Sequence, residues 1–373
     1  MLRYMTAGES HGKGIMAILD GVPAGLKMDE IAINKDLIRR MHGYGRGGRM
    51  KIEKDKAEII AGCRKGVTIG SPIGIMVKNN DHKIDELPDV KNPRPGHADL
   101  AGMEKYGTND ARNILERASA RETAARVAAG SIAKLLLKEF NIRAVSHVTM
   151  LGGIKAKTDG LSFEDILTKT DIASSELRCA DKTAEKKMCK AIDKAKGDTL
   201  GGSFEVIVEG VPAGLGSYSQ WDKRLDGVIA RAVLSIPAVK AASIGRGIEN
   251  AALKGSEVHD AIGYNGKAFV RATNNAGGLE GGITNGSQIV VTAFMKPIST
   301  LSSPLGSVNI DTKKEGTAAV ERSDVTAVPA CGVVAEAVIA IEIASAFLEK
   351  FGSDSIKEIK RNYEGYIEQI KKM

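Results

Sequence analysis

The sequence predicts an α+β fold built from two copies of one unit related by a pseudo-twofold axis. Three pairs of segments carry that expectation. Asp20-Gly-Val-Pro-Ala-Gly-Leu26 returns as Glu209-Gly-Val-Pro-Ala-Gly-Leu215. Gly66-Val-Thr-Ile-Gly-Ser-Pro-Ile73 returns as Gly282-Ile-Thr-Asn-Gly-Ser-Gln-Ile289. The alanine-rich stretch from Glu122 to Phe140 has a counterpart from Glu336 to Phe351, and each closes on leucine, two charged residues and phenylalanine. Chance could supply one such pair, but three in the same order point to duplication. At 373 residues the chain is long enough for two medium units or one large one, given domains of about 150 residues.

Each copy opens on an apolar stretch, Gly14 to Leu19 and Ser203 to Val208, followed by the Gly-Val-Pro-Ala-Gly turn. A helix comes next. In the second copy Leu225, Val228, Ile229, Ala232 and Val233 fall on one helical face within Asp222 to Leu234. Strands follow at Gly74 to Val77 and Ile289 to Phe294, and then the long alanine-rich helices. This order is not a clean β-α-β-α alternation, which argues against a doubly wound parallel sheet. The expected organisation is a first repeat over 1–145, a Lys/Glu-rich connecting insertion over 146–200 and a second repeat over 201–352. A charged tail over 353–373 completes one compact unit. Within the insertion, Lys182 to Lys196 reads as one solvated helix ended by Gly197.

Composition narrows the partners. Lys and Arg number 53 against 46 Asp and Glu, a net charge of +7. Aromatics at 4% leave little stacking surface for single-stranded nucleic acid, so an anionic small molecule is expected and nucleic acid is not. The cysteines Cys63, Cys179, Cys189 and Cys331 form no CxxC pair, and Met1 to Ser10 is too polar for a secretory segment. The longest apolar run, Val333 to Leu348, is broken by Glu336 and Glu342, so no membrane span is expected. A cytoplasmic protein with reduced thiols follows from these features.

Five clusters suggest chemistry. Gly8-Glu-Ser-His-Gly12 sets a hydroxyl, Ser10, beside an imidazole, His11, but lacks the glycine spacing and hydroxyl of a phosphate P-loop. Arg39, Arg40, Arg46 and Arg49 surround a glycine-rich stretch from Gly43 to Gly48. There, planar guanidinium forks and exposed backbone N–H groups suit carboxylate and phosphate. That stretch follows a helix, so its Gly-x-Gly-x-Gly-Gly pattern is not a dinucleotide fingerprint. Asn92-Pro-Arg-Pro-Gly-His-Ala-Asp99 stiffens the chain around His97, as a general acid requires. Arg117-Ala-Ser-Ala-Arg-Glu-Thr123 reads as a helix start capped by a Ser119–Glu122 box, with Arg117 and Arg121 at its positive end. The last cluster, in the second copy, comprises Gly277 to Gly286, Lys296-Pro-Ile-Ser-Thr300 and Arg322-Ser-Asp324, which add backbone donors, an ammonium, hydroxyls and a carboxylate.

Together these strings resemble the chorismate synthase family from Gly8 to about Leu348. The resemblance implies a sandwich with helices between two antiparallel sheets, internally duplicated, and assembly as a homotetramer. It implies 1,4-elimination of phosphate from 5-enolpyruvylshikimate 3-phosphate with reduced FMN and no net redox change. By the same resemblance His11 would assist phosphate departure, His97 would keep the reduced flavin suitably protonated, and Asp324 would act as base toward it. Ser10, Arg40, Arg46, Arg49 and Arg121 would hold the substrate, with NADPH contacts also falling on Arg40 and Arg46. FMN contacts would fall on Arg117, Ala118, Ser119, Pro237, Ala238 and Gly281, on Lys296, Pro297, Ile298, Ser299 and Thr300, and on Arg322. The family usually carries Arg-His-Asp-Pro-Cys where this chain has Arg322-Ser-Asp-Val-Thr326, so the expected base keeps its carboxylate and loses an imidazole neighbour. Whether NADPH or a separate reductase reduces the flavin stays open. The competing expectation is an FMN-dependent NADPH oxidoreductase.

Overall fold

The computed structural model describes residues 2–48, 52–321 and 324–373, and it mixes helices with antiparallel sheets. The first sheet holds β1 (Arg3–Gly8), β2 (Gly14–Asp20), β3 (Ala57–Ala61) and β4 (Ile73–Lys78) in the spatial order β1-β2-β4-β3. The second holds β5 (Arg143–Leu151), β6 (Ile154–Lys155), β7 (Gly202–Glu209), β8 (Val239–Ile244) and β9 (Ile289–Met295) in the order β8-β9-β7-β5-β6. Every pairing in both sheets is antiparallel. With the two-residue β6 set aside, the second sheet repeats the order of the first: strands one, two, four, three.

The Gly-Val-Pro-Ala-Gly turns repeat down to single atoms. Thr68 Oγ1 donates to Pro23 O at 2.6 Å and accepts from Leu26 N at 2.9 Å. Thr284 Oγ1 donates to Pro212 O at 2.7 Å and accepts from Leu215 N at 2.8 Å. One buried threonine in each half thus closes the same loop against the same carbonyl.

The helices are α1 (Glu30–Met41), α2 (Asp99–Tyr106), α3 (Arg112–Ala118), α4 (Thr123–Lys138), α5 (Phe163–Lys169), α6 (Lys182–Lys194), α7 (Leu225–Leu234), α8 (Val328–Phe351) and α9 (Ile356–Lys371). The alternation of β2 turns Ile15, Ala17 and Leu19 inward, where α4 packs on β2 and β4. Helix α8 packs on β5 and β7 and, across from the sheet, on α4. Gly130 permits that crossing, because a Cβ there would lie 2.4 Å from the Cβ of Ala337. Helix α8 is long and apolar enough to cross a membrane by length and composition, yet 83% of its apolar window is buried inside the protein.

Glu336, expected to interrupt that helix, is buried at its centre. It pairs with Arg39 at 2.6 Å, Lys134 at 2.6 Å and Arg178 at 3.1 Å, and accepts from Ser146 N at 2.7 Å. Burial by itself would raise this carboxyl, but the three cations hold it well below the usual range. Three cations from α1, α4 and the 170s loop thereby converge on one residue of α8.

Several boundaries differ from the sequence reading. Residues 146–151, expected in the insertion, belong to β5, which pairs with β7 over most of its length. Helix α6 ends at Lys194 and buries Ala184, Glu185, Met188 and Ile192, so one face is packed where a solvated helix was expected. The 353–373 segment carries α9, whose Ile356 and Ile359 are buried and whose Tyr363 packs on Phe140, Phe347 and Phe351.

Candidate active site

The first sheet ends in the loop that presents His11. Gly8 has φ of +106° because the chain doubles back so tightly that a Cβ would lie 2.2 Å from Gly14 O. Asn79, just past β4, clamps this loop by donating Nδ2 to Glu9 O at 3.0 Å, Ser10 O at 3.1 Å and Gly12 O at 2.8 Å. Glu116 of α3 holds the histidine twice, accepting from His11 N at 2.7 Å and facing His11 Nδ1 at 2.9 Å. Burial would raise Glu116, but hydrogen bonds from the His11 ring and main chain, with Arg112 behind them, keep it low as a carboxylate. A carboxylate only accepts, so Nδ1 carries its hydrogen and Nε2 is the nitrogen for proton exchange.

The arginines collect beside this loop. Arg121 donates Nε to Asn79 Oδ1 at 2.8 Å and pairs through Nη1 with Asp55 at 2.5 Å. Arg40 shares the same carboxylate at 3.2 Å and donates to Thr123 Oγ1 at 2.9 Å and Ala120 O at 3.0 Å. Burial is the main reason Arg40 is pushed down to about 10; Asp55 opposes the shift, while Arg121 and Arg46 add to it. It stays charged at neutral pH, crowded by like charges, which is an environment that an anion would relieve. Arg46 Nη1 lies 3.0 Å from Asp324 Oδ2, and Gly47 N donates to Asp324 Oδ1 at 2.6 Å. The expected base and an expected substrate cation are therefore paired with each other.

Ser119 does not form the expected capping box. Its Oγ accepts from Arg121 N at 3.3 Å, while Glu122 turns to Arg126 at 2.8 Å. A 3-10 turn over Ala120–Glu122 intervenes, and α4 begins at Thr123. That turn swings Arg121 inward to Asp55 and leaves the Ser119 hydroxyl 3.2 Å from that of Ser10. Arg117 is exposed and braces β1 by donating to Thr6 O at 2.9 Å and Gly8 O at 3.1 Å, with Ala118 ending α3 beside it.

His97 belongs to a second group. Its Nδ1 lies 2.5 Å from Asp99 Oδ1, and Arg94 grips the same carboxylate through Nε at 2.9 Å. Burial would raise Asp99, but its bonds to His97 and Arg94 hold it far below the usual carboxylate range. Arg94 also donates to Thr300 Oγ1 at 2.7 Å, and Lys296 Nζ donates to Gly96 O at 3.0 Å. The Lys296–Thr300 segment, including Pro297, Ile298 and Ser299, is thereby seated against the His97 loop. Burial first, then Lys240 on the neighbouring strand, lowers Lys296. Ala238 holds φ of +67° at the turn into β8, and its carbonyl accepts from Lys296 N at 2.9 Å.

The structure thus joins Ser10, His11, Ser119, Arg121 and Arg40 in one hydrogen-bonded group, pairs Arg46 with Asp324 within electrostatic reach of Arg40, and sets His97 with Lys296–Thr300 in another. Among the described residues, Pro237 and Gly281 share no hydrogen bond with either group; Gly281 sits in a hairpin turn with open space where a Cβ would be. Arg49 and Arg322 lie outside the described residues. The sequence reading missed Glu116, Asn79, Asp55, Arg94 and Arg112. The spacing Arg112-x-x-x-Glu116, an i,i+4 pair directly before Arg117, was the one local signal for two of them.

A family model described as chorismate synthase matches residues 2–348. Over 100% of both chains, the sequence is 56% identical to the chorismate synthase of Geotalea daltonii and 54% identical to that of Geobacter metallireducens. The fold superposes on a solved structure described as a crystal structure of chorismate synthase with a TM-score of 0.82 and 42% identity, covering 100% of this chain and 99% of that one.

Proposed function

The chain belongs to the chorismate synthase family, and from that premise we infer that it eliminates phosphate and a proton in a 1,4 sense from 5-enolpyruvylshikimate 3-phosphate to give chorismate. The activity is that of a lyase using reduced flavin without net redox change. The observation that carries the reading at the site is the juxtaposition of His11, fixed by Glu116, with the Arg40–Asp55–Arg121 cluster. The substrate brings two carboxylates and a phosphate, and such an anion would relieve the like-charge crowding at Arg40.

Arg40, Arg46 and Arg121, with Ser10 and with Arg49, hold the substrate's anionic groups, stabilising the departing phosphate as its charge grows. His11, carrying hydrogens on both ring nitrogens with Nδ1–H held by Glu116, delivers the Nε2 proton to that phosphate and is left as the Nδ1–H tautomer. Asp324 is the base, and Arg46 and the Gly47 main chain hold it in place until substrate competes for the guanidinium. FMN would be held by the second group, where Lys296 would meet its phosphate and Ala238, Ser299 and Thr300 would offer a carbonyl and hydroxyls, with Arg117, Ala118 and Ser119 as its further expected contacts. Reduced FMN, when bound, supplies electron density to the allylic system of the substrate. His97, its Nδ1 fixed by Asp99, would hold a proton at Nε2 for the bound flavin. Where NADPH is the reductant, it would meet Arg40 and Arg46 before substrate occupies them and would serve only to reduce the flavin.

The repeated strand order and the Thr68 and Thr284 turns support an internally duplicated sandwich with pseudo-twofold symmetry. The free state of Cys63, Cys179, Cys189 and Cys331 supports a cytoplasmic setting. Exposed apolar faces support a homotetramer.

An anaerobic assay with 5-enolpyruvylshikimate 3-phosphate and chemically reduced FMN tests the reading. Chorismate and phosphate are expected in equal amounts without stoichiometric flavin oxidation. Stoichiometric NADPH consumption with neither product would install the oxidoreductase reading in its place.

A further inference from the structure

We propose that Glu116, steadied by Arg112, is the positioning residue that sets the tautomer of His11 and aims its Nε2 at the reacting phosphate; this rests on the reading of His11 as proton donor.

The geometry is unusual in that one carboxylate grips one residue at two points. Oε2 takes the His11 main-chain N–H at 2.7 Å and Oε1 faces ring Nδ1 at 2.9 Å. With main chain and ring tied to the same group, the imidazole cannot rotate about its side-chain bonds without breaking a charge-assisted hydrogen bond. Two further donors, Lys83 N at 3.0 Å and Ile84 N at 3.1 Å, hold the His11 carbonyl. The ring is thus fixed in place as well as in tautomer.

Arg112 keeps the carboxylate ionised and oriented. It lies 3.4 Å from Glu116 Oε1, donates Nε to Pro88 O at 3.2 Å, and pairs with Glu321 Oε1 at 2.9 Å. Glu321 stands three residues before Asp324. The same arginine therefore links the His11 support to the segment that carries the base. From the opposite side Asp81 faces Nε2 at 4.0 Å and is itself paired with Lys83 at 3.1 Å. Among the described residues, Glu116 and Asp81 face the ring as carboxylates, with Arg112 and Lys83 as cations behind them.

A second histidine also has a carboxylate at Nδ1: Asp99 lies 2.5 Å from His97 Nδ1, and Arg94 grips Asp99 while its own Nη2 stands 3.1 Å from that nitrogen. A role in packing alone would not require a carboxylate at both sites. Nor would it require the acceptor to face Nδ1 in both.

The Glu116→Gln variant separates the two roles. Its amide keeps the size and can still accept from the His11 main chain, but then turns an NH2 donor toward Nδ1 and forces the hydrogen onto Nε2. The expected results are a kcat lower by about 10² to 10³-fold, KM and reduced-FMN affinity within about 3-fold, and partial recovery in Glu116→Asp. Nitrogen-15 spectra of histidine-labelled, flavin-free protein, assigned with His11→Gln, should show Nδ1–H at His11 in the native chain and Nε2–H in Glu116→Gln. Turnover of Glu116→Gln within about 3-fold of native, or an unchanged tautomer, overturns the proposal. If Glu116→Gln does not fold, the native spectrum decides alone, and a neutral His11 ring with its one hydrogen on Nε2 overturns the proposal. The spectra judge the proposal even if the native protein makes no chorismate, a result that would sink the functional reading separately.

Discussion

A histidine becomes useful when something decides which of its nitrogens works, and in this chain Asp99 makes that decision for His97. The bond at 2.5 Å and the Arg94 fork keep Asp99 ionised, so the ring offers Nε2 alone. His97→Ala is expected to lose most turnover while still binding FMN and substrate, because the ring is assigned protons and not anchorage. Asp99→Asn should lose about 10² to 10⁴-fold in kcat, since an amide can present the wrong partner to Nδ1. Near-normal turnover of either variant in the anaerobic assay would remove His97 from the acid role. How much of this was legible beforehand depends on sequence distance. His97 and Asp99 stand two residues apart between stiffening prolines, and their partnership could be read. His11 and Glu116 are separated by more than a hundred positions, and no local pattern ties them. Asn79 was invisible for the same reason: it looks like a loop residue after a strand until the fold brings Gly8–Gly12 across it.

At the scale of elements, the insertion helix α6 acts as a buttress for the arginine loop. Tyr44 N donates to Glu176 O at 3.0 Å, Tyr44 Oη donates to Asp193 at 2.6 Å, and Val325 N donates to Gly45 O at 2.8 Å. Gly45 sits at φ of +78°, and a Cβ there would lie 2.8 Å from Ile192 Cγ2. Gly45→Ala should therefore push the loop off α6 and shift Arg46 relative to Asp324, while leaving the distant core intact. The expected result is a KM for substrate raised about tenfold or more with a melting temperature changed by only a few degrees. A variant with native KM would show that the loop position is set elsewhere. The charged composition of α6 suggested a solvated helix, and its lysines do face water. What composition could not convey is that Met188 and Ile192 form a narrow apolar stripe, and that the stripe has the glycine loop to cover. The long helices α4 and α8 were legible in existence because their alanine-rich patterns repeat. Their contact at Gly130 and Ala337 was not, since a glycine mid-helix reads locally as a weak point.

Among the exposed apolar surfaces of the described residues, two carry side chains paired across strands, and each offers a contact for a second copy. The first sheet buries one face on α4 and exposes the other. On that outer face Met5 pairs across the strands with Ile18, and Met16 with Met76, while Ile60 lies near the bulge of β3. Met5 is 64% exposed, Ile18 54% and Ile60 57%. A second patch projects on the hairpin 262–271, where Tyr264 and Phe269 pair with ring centroids 5.5 Å apart and Ile262 stands alongside. Contiguous apolar faces of this kind are seldom left in water, and a second copy of the same chain can cover each by a twofold contact. One twofold patch closes a dimer and stops there. Two independent twofold patches on one subunit generate a closed tetramer with crossed axes, which is the assembly that family membership leads us to propose. The argument predicts two separable failures. Met5→Lys combined with Ile18→Glu should break the sheet-face contact alone, leaving dimers held by the hairpin. Tyr264→Ser combined with Phe269→Ser should leave dimers held by the sheet face. Light scattering on size-exclusion peaks at micromolar concentration measures both, with the native chain expected at four subunits. A native monomer would sink the proposal outright. A tetramer that survived both pairs of substitutions would place the contacts on other surfaces.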